Sequence, residues 1–396
     1  MSKIKILHVG KYYSPFKGGI ENFLKDLLEC EALGKSCHSR VLAHHHDRNS
    51  PSVTESIGGI SVRKVKLWRK LLYAPICPTF HSELANEIRE FSPDVLHIHM
   101  PNLSAFLCLF CKEARRLPWI IHWHSDVLGT EQDWRIKLLY PLYRVFEKKL
   151  LQTASSIVCT SPNYLHSSKA LKGFNHKCTV IPLGVRLDER ETQITPLATG
   201  LDESSGEARI AKDSDTQPLK LLCVGRLSYY KGHKYLLDAV ARLNNVQLTI
   251  IGKGEMRNDI EARIARNSLT KRVTLKGEVN DDELSDQIRA ADLICLASIE
   301  RTEAFGLVTL EAARSKKPAL VTNVVGSGMS WVVVDKSTGW VVPAKDTDAL
   351  AQCIKNIQHD RSTVVTFGEA AYNRLTKHFQ INAVGEEIAA LYENTL

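Results

Sequence analysis

Residues 219–254 read LKLLCVGRLSYYKGHKYLLDAVARLNNVQLTIIGKG. They begin with an apolar run of strand length, LKLLCVGR, continue with a helical stretch through residues 235–243, and end with a second apolar run, VQLTIIGKG. A strand, a helix and a strand in this order predict a βαβ unit, in which the helix crosses over one face of the sheet and the two strands run parallel.

The alternation continues on both sides of this unit. Toward the carboxyl end it runs through VTLKG, LICLAS and PALVTN, with helices predicted near 256–267, near 282–291 and after Gly306. Toward the amino end the strands are KIKILHVG, a segment near 38–43, PDVLHIH, PWIIHWH and SSIVCTS, with a helix near 21–33. The sequence therefore predicts an α/β protein with one parallel sheet in each half.

A polar segment separates the two halves. Residues 189–217 are rich in Ser, Thr, Asp and Glu and almost free of aromatic side chains, which is typical of a linker or mobile excursion. We therefore predict a Rossmann-like domain at 1–188, this linker, a second Rossmann-like domain at 218–376 and a C-terminal helix at 377–396. Two such domains facing across a cleft would bind ligands at the carboxyl ends of their strands.

The composition excludes several classes of protein. With 44% hydrophobic and 24% charged residues, the chain is typical of a globular protein rather than a fibrous or disordered one. The apolar start, MSKIKILHVG, is expected to form a strand rather than a secretory signal, and no apolar window has the length of a membrane span.

The ten cysteines, Cys108 and Cys111 among them, lack the paired spacing of a zinc site, so we expect buried, reduced thiols in a cytosolic protein.

Positive charge is concentrated in the first half. Residues 1–186 contain 26 Lys and Arg against 15 Asp and Glu, whereas the remainder contains 26 against 29. Two runs, RKVKLWRKLLY around Trp68 and WRIKLLYPLYRVFEKKLL at 134–151, mix cations with Leu, Trp and Tyr. Such segments suit an anionic membrane surface, but the second run also fits a helix whose apolar stripe faces the core. A nucleic-acid-binding protein would use the same charge, yet no recognition signature accompanies it, so we expect no nucleic acid partner.

One loop of the second half combines two cations. Arg226 and Lys231 follow the end of the strand LKLLCVGR, so both side chains start at the edge of the sheet where ligands bind. A guanidinium fork and an ammonium together suit a diphosphate. The alternative is a pair of solvated surface cations.

A second loop of this half combines carboxylates with a helix start. In SIERTEAFGLVTLEAARS a helix is predicted to begin near Phe305, with Glu303 just before it and Glu311 about two turns inside. The backbone N–H groups of Phe305, Gly306 and Leu307 would then point toward an anion. The alternative is an ordinary helix that has one carboxylate near its start and one in its body.

Polar and glycine-rich loops also follow strands of the first half. Gly18 and Gly19, in KYYSPFKGGIENF, lie between the first strand and its helix, where bare backbone lets a phosphate approach. His122, His124 and Asp126, in IIHWHSDVL, end another strand and would reach the same crevice. A turn and structural histidines are the simpler interpretations.

Metal and dinucleotide sites are not expected. Asp213 and Asp215 form a D-x-D pair in the polar linker, and Asp346 and Asp348 form another at a helix start, so neither pair is predicted to bind a metal ion. A dehydrogenase would need a G-x-G-x-x-G fingerprint and a ribose-binding acid, and neither is in place.

Taken together, these motifs resemble a known enzyme family over nearly the whole chain. They are GGIENF, IHWHSDVL, GRLSYYKGHKYLLDAV, the E-x7-E segment from Glu303 to Glu311, and GSGMSWVVVDKSTGWVVPAKDTDAL. The chain is similar to the retaining glycosyltransferases of the two-Rossmann (GT-B) fold, family 4 type, which include bacterial lipopolysaccharide and O-antigen mannosyltransferases. It departs from the family pattern at IPLGVRLD and EAARSKKP.

The resemblance implies roles for particular residues. The donor-binding set would be Gly18, Gly19, Arg226, Lys231, Gly252, Val279, Leu284, Glu303, Ala304, Phe305, Gly306, Leu307 and Glu311. Arg226 and Lys231 would hold the donor diphosphate, and Glu311 would accept ribose hydroxyls. His124 would contact the sugar near its reacting carbon, so the catalytic residues would be His124, Glu303, Arg226 and Lys231.

The resemblance also implies an activity. A nucleotide sugar would be the co-substrate, with no cofactor and no metal ion, and the sugar would be mannose from GDP-mannose or else come from a UDP-sugar. The acceptor would be a lipid-linked saccharide in O-antigen or related surface polysaccharide synthesis. The enzyme would be cytoplasmic and peripheral on the inner face of the membrane, and its C-terminal helix would cross back to the first domain. A nucleotide-sugar epimerase of similar shape is the alternative, distinguished by its products.

Overall fold

The computed structural model describes residues 3–71, 74–127, 134–187 and 217–396. The predicted linker at 189–217 lies outside these residues except for Gln217, as do Asp213 and Asp215. The chain divides into two compact units, which are Met1–Arg186 with Phe379–Leu396, and Leu187–His378. Each unit is an α/β structure built around a largely parallel sheet.

Within the described residues the first unit has ten strands, which are β1 (Ile4–Val9), β2 (Cys37–His44), β3 (Val53–Ile57), β4 (Ile60–Val65), β5 (Arg69–Leu71), β6 (Ala74–Ile76), β7 (Val95–Met100), β8 (Trp119–Trp123), β9 (Ser156–Cys159) and β10 (Cys178–Val180). Eight form one sheet in the order β10-β9-β8-β7-β1-β2-β4-β3, while β5 pairs with β6. Only β3 runs antiparallel in the large sheet.

The β3–β4 hairpin was not predicted, although its Gly58-Gly59 turn, with φ of 58° and 80°, is a hairpin signal.

The helices of the first unit include α1 (Gly19–Leu28), α2 (Glu31–Ser36), α3 (Phe80–Phe91), α4 (Trp134–Thr153) and α5 (Pro162–Ser167). The single helix predicted near 21–33 was wrong, because the structure has α1 and α2 in its place. Cys30 adopts extended backbone between them, with φ of −75° and ψ of 145°. The helical period of the sequence continues through the break, so the pattern alone did not show it.

Within the described residues the second unit has six strands, which are β11 (Leu219–Val224), β12 (Val246–Ile251), β13 (Val273–Leu275), β14 (Leu293–Leu296), β15 (Ala319–Asn323) and β16 (Gly339–Pro343). All pair in parallel, in the order β13-β12-β11-β14-β15-β16. The helices include α6 (His233–Ala241), α7 (Arg257–Arg266), α8 (Asp281–Ala290), α9 (Val308–Arg314), α10 (Met329–Val332), α11 (Thr347–His359) and α12 (Ser362–His378). The helix cap predicted at Asp346 is confirmed, since its side chain accepts a hydrogen bond from the Ala349 N–H at 2.8 Å.

The end of the chain belongs to the first unit. Helix α13 (Ile381–Glu393) packs on α2, and the Val185 N–H donates to the Phe379 carbonyl at 3.0 Å. A Cβ atom added at Gly385 would lie 2.6 Å from Cys30 Sγ. The absence of a side chain at Gly385 therefore lets α13 approach the break between α1 and α2.

The strand order places the candidate loops in each sheet. β1 lies between β7 and β2, and β11 lies between β14 and β12, so the order reverses beside the first strand of each unit. Open parallel sheets bind ligands outside the carboxyl ends of the strands at such a point. The loops after β1, β8, β11 and β14 contain most of the candidate residues. The predicted fold class, two Rossmann-like α/β domains, is confirmed.

The cysteines are all free thiols, and eight of the ten are buried. Burial raises the pKa of Cys108 and of Cys111, so both thiols stay protonated. Within the described ranges, no helix combines the length and the apolar composition needed to cross a membrane.

Candidate functional site

The loop from Gly225 to Gly232 carries Lys231 into the interior of the second unit. Lys231 Nζ lies against Gly225, where an added Cβ atom would come within 2.7 Å of it. Gly232 has a φ of 64°, in the left-handed region that favours glycine, directly before α6 begins. The Lys231 side chain is only 9% exposed. Two glycines thus fold the loop tightly enough to bury an ammonium group.

Lys231 forms an ion pair with Glu303, a partner that the sequence pattern could not identify. Nζ lies 2.5 Å from Glu303 Oε2, the Glu303 side chain is 12% exposed, and Ser298 Oγ donates to the same oxygen at 3.3 Å. Burial lowers the pKa of Lys231, but the charge and the hydrogen bond of Glu303, together with Tyr230 and Cys223, outweigh burial and raise that pKa above its ordinary value. Lys231 therefore stays positively charged although it is buried.

Arg226 leaves the same loop but has a different partner. Its guanidinium pairs with Glu255 at 3.2 Å, and both side chains are about half exposed. Exposed ion pairs contribute little to stability, so this guanidinium can change partners at small cost. The structure therefore brings Lys231 and Glu303 together and pairs Arg226 with Glu255.

The helix predicted to begin near Phe305 begins three residues later, at Val308. Gly306 has a φ of 79°, which is incompatible with a right-handed helix. Glu311 therefore lies in the first turn of α9 and not two turns inside. The predicted helix start was wrong, and the N–H groups of Phe305, Gly306 and Leu307 precede the helix.

The loop before α9 is held by the turn at residues 326–329. The Gly328 N–H donates to the Ala304 carbonyl at 2.7 Å, and Ser327 Oγ donates to the Glu303 carbonyl at 2.5 Å. No residue of this turn was predicted to belong to the site, although GSGMSW is part of one of the motifs that carry the family resemblance. These two hydrogen bonds from the turn hold the backbone of Glu303 and Ala304 in place, so that the Glu303 side chain reaches Lys231.

Three donor-site candidates of the second unit have packing roles. A Cβ atom at Gly252 would lie 1.9 Å from the Gly225 carbonyl oxygen, so this glycine lets the ends of β11 and β12 approach each other. Val279 and Leu284 are partly buried against an apolar cluster on one face of the sheet. The structure accounts for all three residues without a ligand.

Gly18 and Gly19 begin helix α1. Gly18 is extended, with a φ of −169°, and precedes the helix. A Cβ atom there would lie 2.3 Å from Glu21 Oε2. Among the described residues, no atom beyond the chain neighbours and the backbone of the same helix lies within 4 Å of the Cβ position at Gly19. Burial raises the pKa of Glu21. Gly18 therefore makes room for a buried carboxyl group, and Gly19 leaves open space.

Five buried histidines lie on the three central strands of the first sheet. His8 is in β1, His97 and His99 are in β7, His122 is in β8 and His124 follows it. None of them is more than 3% exposed. Burial lowers the pKa of each, to about 3 for His99, so all five imidazoles are neutral at pH 7. Of the five, His122 and His124 were predicted to reach a crevice, and the structure buries both of them, His122 completely.

Helices α1 and α13 supply aromatic contacts to this histidine cluster. The Phe23 ring packs edge-on against His122 and His124, with centroids 5.4 and 6.0 Å apart. The Tyr392 hydroxyl lies 2.5 Å from His97 Nδ1. Alternation of His97 with His99 and of His122 with His124 places all four on one sheet face. That spacing was the signal that could have identified the cluster from the sequence.

Asp126 holds the loop after β8. Its Oδ1 accepts hydrogen bonds from Trp123 Nε1 at 2.8 Å and from Ser168 Oγ at 2.7 Å. Its N–H donates to the Tyr164 hydroxyl at 2.5 Å. The carboxylate therefore has a structural role, which fixes the position where His124 leaves the strand.

Helix α4 exposes part of its apolar surface. Leu138, Leu142 and Val145 lie on one helical face and are 68%, 60% and 64% exposed, and the exposed Lys149 extends the same face. Glu147 lies on the opposite face and is fully buried. Of the two alternatives for this run, an apolar stripe that faces the core does not hold for these three residues.

The two Rossmann-like units, with polar and charged residues beside their central strands, place the protein in the class of two-domain α/β proteins that bind ligands at strand ends. The family model of glycosyl transferases group 1 matches residues 205–374, and that of glycosyltransferase family 4 matches residues 17–189. Together the two models cover most of the chain, which belongs to the family 4 glycosyltransferases of the GT-B fold.

Relatives and solved structures agree with this assignment. The chain is 26% identical to the O-antigen chain mannosyltransferase C of Escherichia coli over 99% of both chains. It is 28% identical to the D-rhamnosyltransferase WbpZ of Pseudomonas aeruginosa over 94% of this chain and 92% of that one. The sucrose-phosphate synthase of Thermosynechococcus elongatus has the same fold, with a TM-score of 0.79 at 22% identity over 99% of both chains. The chain is therefore a glycosyltransferase.

Proposed function

We propose that the chain is a retaining transferase that moves a hexose from a nucleotide sugar to a lipid-linked saccharide in bacterial surface polysaccharide synthesis. Similarity to the O-antigen chain mannosyltransferase C and to the D-rhamnosyltransferase supports this pathway. GDP-mannose is the first donor to test, and UDP-sugars are the second. The buried Lys231–Glu303 pair, beside the ends of β11 and β14, is the observation that carries the proposal.

The pair suits a reaction in which a diphosphate departs. Breaking the bond to the anomeric carbon leaves positive charge on the sugar and additional negative charge on the diphosphate. Lys231 can turn from Glu303 to a phosphate oxygen, and Arg226 can leave Glu255, so both cations favour the transition state without a metal ion. Glu303 then accepts hydrogen bonds from the donor sugar, while Glu311 accepts those of the ribose.

The proposed transfer proceeds on one face of the sugar. The acceptor hydroxyl attacks the anomeric carbon from the side on which the diphosphate departs, through an oxocarbenium-like state, and the departing phosphate takes the acceptor proton. His124 contacts the sugar near this carbon. Configuration is retained because the new bond forms on the face where the old one broke.

Nucleotide binding tests the donor site. At 100 times its dissociation constant, a nucleotide should stabilise the protein by about 2.7 kcal/mol and raise its melting temperature. We expect GDP or UDP to do so, but not CMP or NAD, and we expect Arg226→Ala to lose the shift. Melting curves with each nucleotide check this. No shift with any nucleotide, in a well-folded protein, would contradict the proposed donor site.

The exposed face of α4 supports a place for the enzyme on the cytoplasmic side of the membrane. We propose that Leu138, Leu142 and Val145 enter the surface of an anionic bilayer while Lys149 meets its headgroups. Replacing the three apolar residues with Ser should weaken binding to vesicles that contain phosphatidylglycerol at least tenfold, because binding then removes much less apolar surface from water. Vesicle co-sedimentation measures this.

The matched control for this experiment is an exposed apolar residue of the second unit. Val365 is 68% exposed, and Val365→Ser should leave vesicle binding unchanged. Equal binding to phosphatidylcholine vesicles would contradict the contact of Lys149 with anionic headgroups, and full binding by the triple variant would show that this face is not the membrane contact.

A further inference from the structure

Three of the five buried histidines are joined through their ring nitrogens. His8 Nδ1 lies 3.2 Å from His99 Nε2, and His99 Nδ1 lies 3.1 Å from His124 Nε2. The ring planes are inclined by only 23° and 17°, and the ring centroids lie 5.5 and 5.4 Å apart. These separations are much longer than the N···N distances, so the rings meet edge to edge, close to both ring planes, as an N–H···N hydrogen bond requires. The result is a continuous chain from β1 through β7 to the residue after β8.

Neutrality of the rings couples the two hydrogen bonds. Burial lowers the pKa of all three histidines, and a neutral imidazole has one N–H and one acceptor nitrogen. His99 must therefore donate through one nitrogen and accept through the other. Only two arrangements satisfy both contacts: all three rings carry the proton on Nδ1, or all three carry it on Nε2.

The two ends of the chain lie at different places in the sheet. Among the described residues, neither His8 Nε2 nor His124 Nδ1 has a hydrogen-bond partner, and both atoms are buried, so each arrangement leaves one unpaired N–H group. The Nε2–H arrangement leaves it on His8, inside β1. The Nδ1–H arrangement leaves it on His124, at the carboxyl end of β8, where parallel sheets bind ligands and a ligand oxygen can accept it.

The ring geometry disfavours a metal site, although in two groups of three histidines the ring nitrogens lie close enough together to suggest one. The ring nitrogens of His8, His97 and His99 lie within 4.8 Å of one another, as do those of His99, His122 and His124. A metal ion needs lone pairs that converge on one point. In the near-coplanar contacts the two nitrogens face each other, and the rings of His122 and His124 stack in parallel, 4.2 Å apart at 4°.

We propose that His8 and His99 are positioning residues that hold His124 in its Nδ1–H tautomer, so that His124 donates a hydrogen bond to an oxygen of the bound sugar. The coupling of the three tautomers rests on the geometry of the rings. The choice of the Nδ1–H tautomer and the sugar contact rest in addition on the proposed function, which places His124 beside the reacting carbon.

Imidazole ¹⁵N shifts and kinetics test the two statements separately. In histidine-labelled protein we expect His124 to carry its proton on Nδ1, and we expect His99→Phe to produce a mixture of tautomers. We expect kcat for transfer to fall about tenfold in His99→Phe, the value of one hydrogen bond. His122→Phe is the matched control, since in the described structure neither His122 ring nitrogen has a partner, and it should keep the His124 tautomer.

Several results would overturn the proposal. An Nε2–H tautomer in the wild-type protein, or an unchanged tautomer in His99→Phe, would remove the positioning role. One equivalent of tightly held zinc in the purified protein, lost in His99→Phe, would show a metal site instead. An altered tautomer with unchanged kcat would overturn the sugar contact. If the wild-type protein transferred no sugar, the proposed function would fail while the ¹⁵N result still decided the tautomer.

Discussion

Lys231→Met is expected to lower kcat/KM for glycosyl transfer at least a hundredfold and to destabilise the second unit by about 3–5 kcal/mol. The substitution removes the ammonium that lies 2.5 Å from Glu303 Oε2 and leaves that carboxylate nearly buried without an opposite charge. It also removes the cation proposed to meet the departing diphosphate. Steady-state kinetics and urea unfolding measure the two effects.

A double variant separates stability from catalysis. Lys231→Met combined with Glu303→Leu replaces both charges with apolar groups, so most of the lost stability should return while activity stays low. Lys253→Met is the matched control, because it breaks an exposed pair with Glu278, 2.7 Å apart, and should cost less than about 1 kcal/mol. Full activity in the double variant would show that Lys231 has no part in the transfer.

Acidification from pH 7 to pH 5.5 is expected to destabilise the first unit by about 7 kcal/mol, a large part of the stability of an ordinary domain. Burial lowers the pKa of the five clustered histidines, to about 3 for His99, and that of His44 in β2 to about 4, so the native state takes up almost none of their protons in this range. The unfolded chain does, below its ordinary histidine pKa of about 6.5. Stability is therefore lost as the pH falls through that value, by at most about 1.4 kcal/mol per pH unit for each histidine.

Hydrogen exchange followed by mass spectrometry can locate this acid effect. Peptides from β7 and β8 should lose protection as the pH falls, after correction for the intrinsic exchange rate, well before peptides from β14 and β15. His122→Phe should reduce the slope of stability against pH by about one sixth, because one proton fewer is taken up on unfolding. Glu147 opposes the effect slightly, since burial raises its pKa to about 6. Equal protection in both units down to pH 5.5 would contradict the prediction.

Much of the fold followed from the sequence. The apolar runs around His97, Ile121 and Ile294 proved to be strands β7, β8 and β14, because consecutive strand residues buried on both faces give short continuous apolar runs. The break at Cys30 and the late start of α9 did not follow. At Cys30 the extended backbone accompanies close packing by α13, and at Gly306 a left-handed φ interrupts a helical pattern.

The candidate site divides in the same way. Arg226, Lys231 and Glu303 could be chosen from the sequence because they follow strand ends, where parallel sheets bind ligands. The partners of these cations could not be predicted. Lys231 pairs with Glu303 and Arg226 pairs with Glu255, and each partner lies on a different segment of the chain. The sequence likewise did not decide whether the apolar face of α4 is buried or exposed, since its pattern fits both a core contact and a membrane contact.

The sequence by itself determined the α/β class, the two domains and the loops that carry charge, because each of these is recorded in the local order of apolar and polar residues. The tertiary structure decided which side chains meet. It buried Lys231 against Glu303 and joined His8, His99 and His124 through their ring nitrogens. Such contacts depend on which strands become neighbours and on how their side chains pack, and the pattern along one segment does not contain that information.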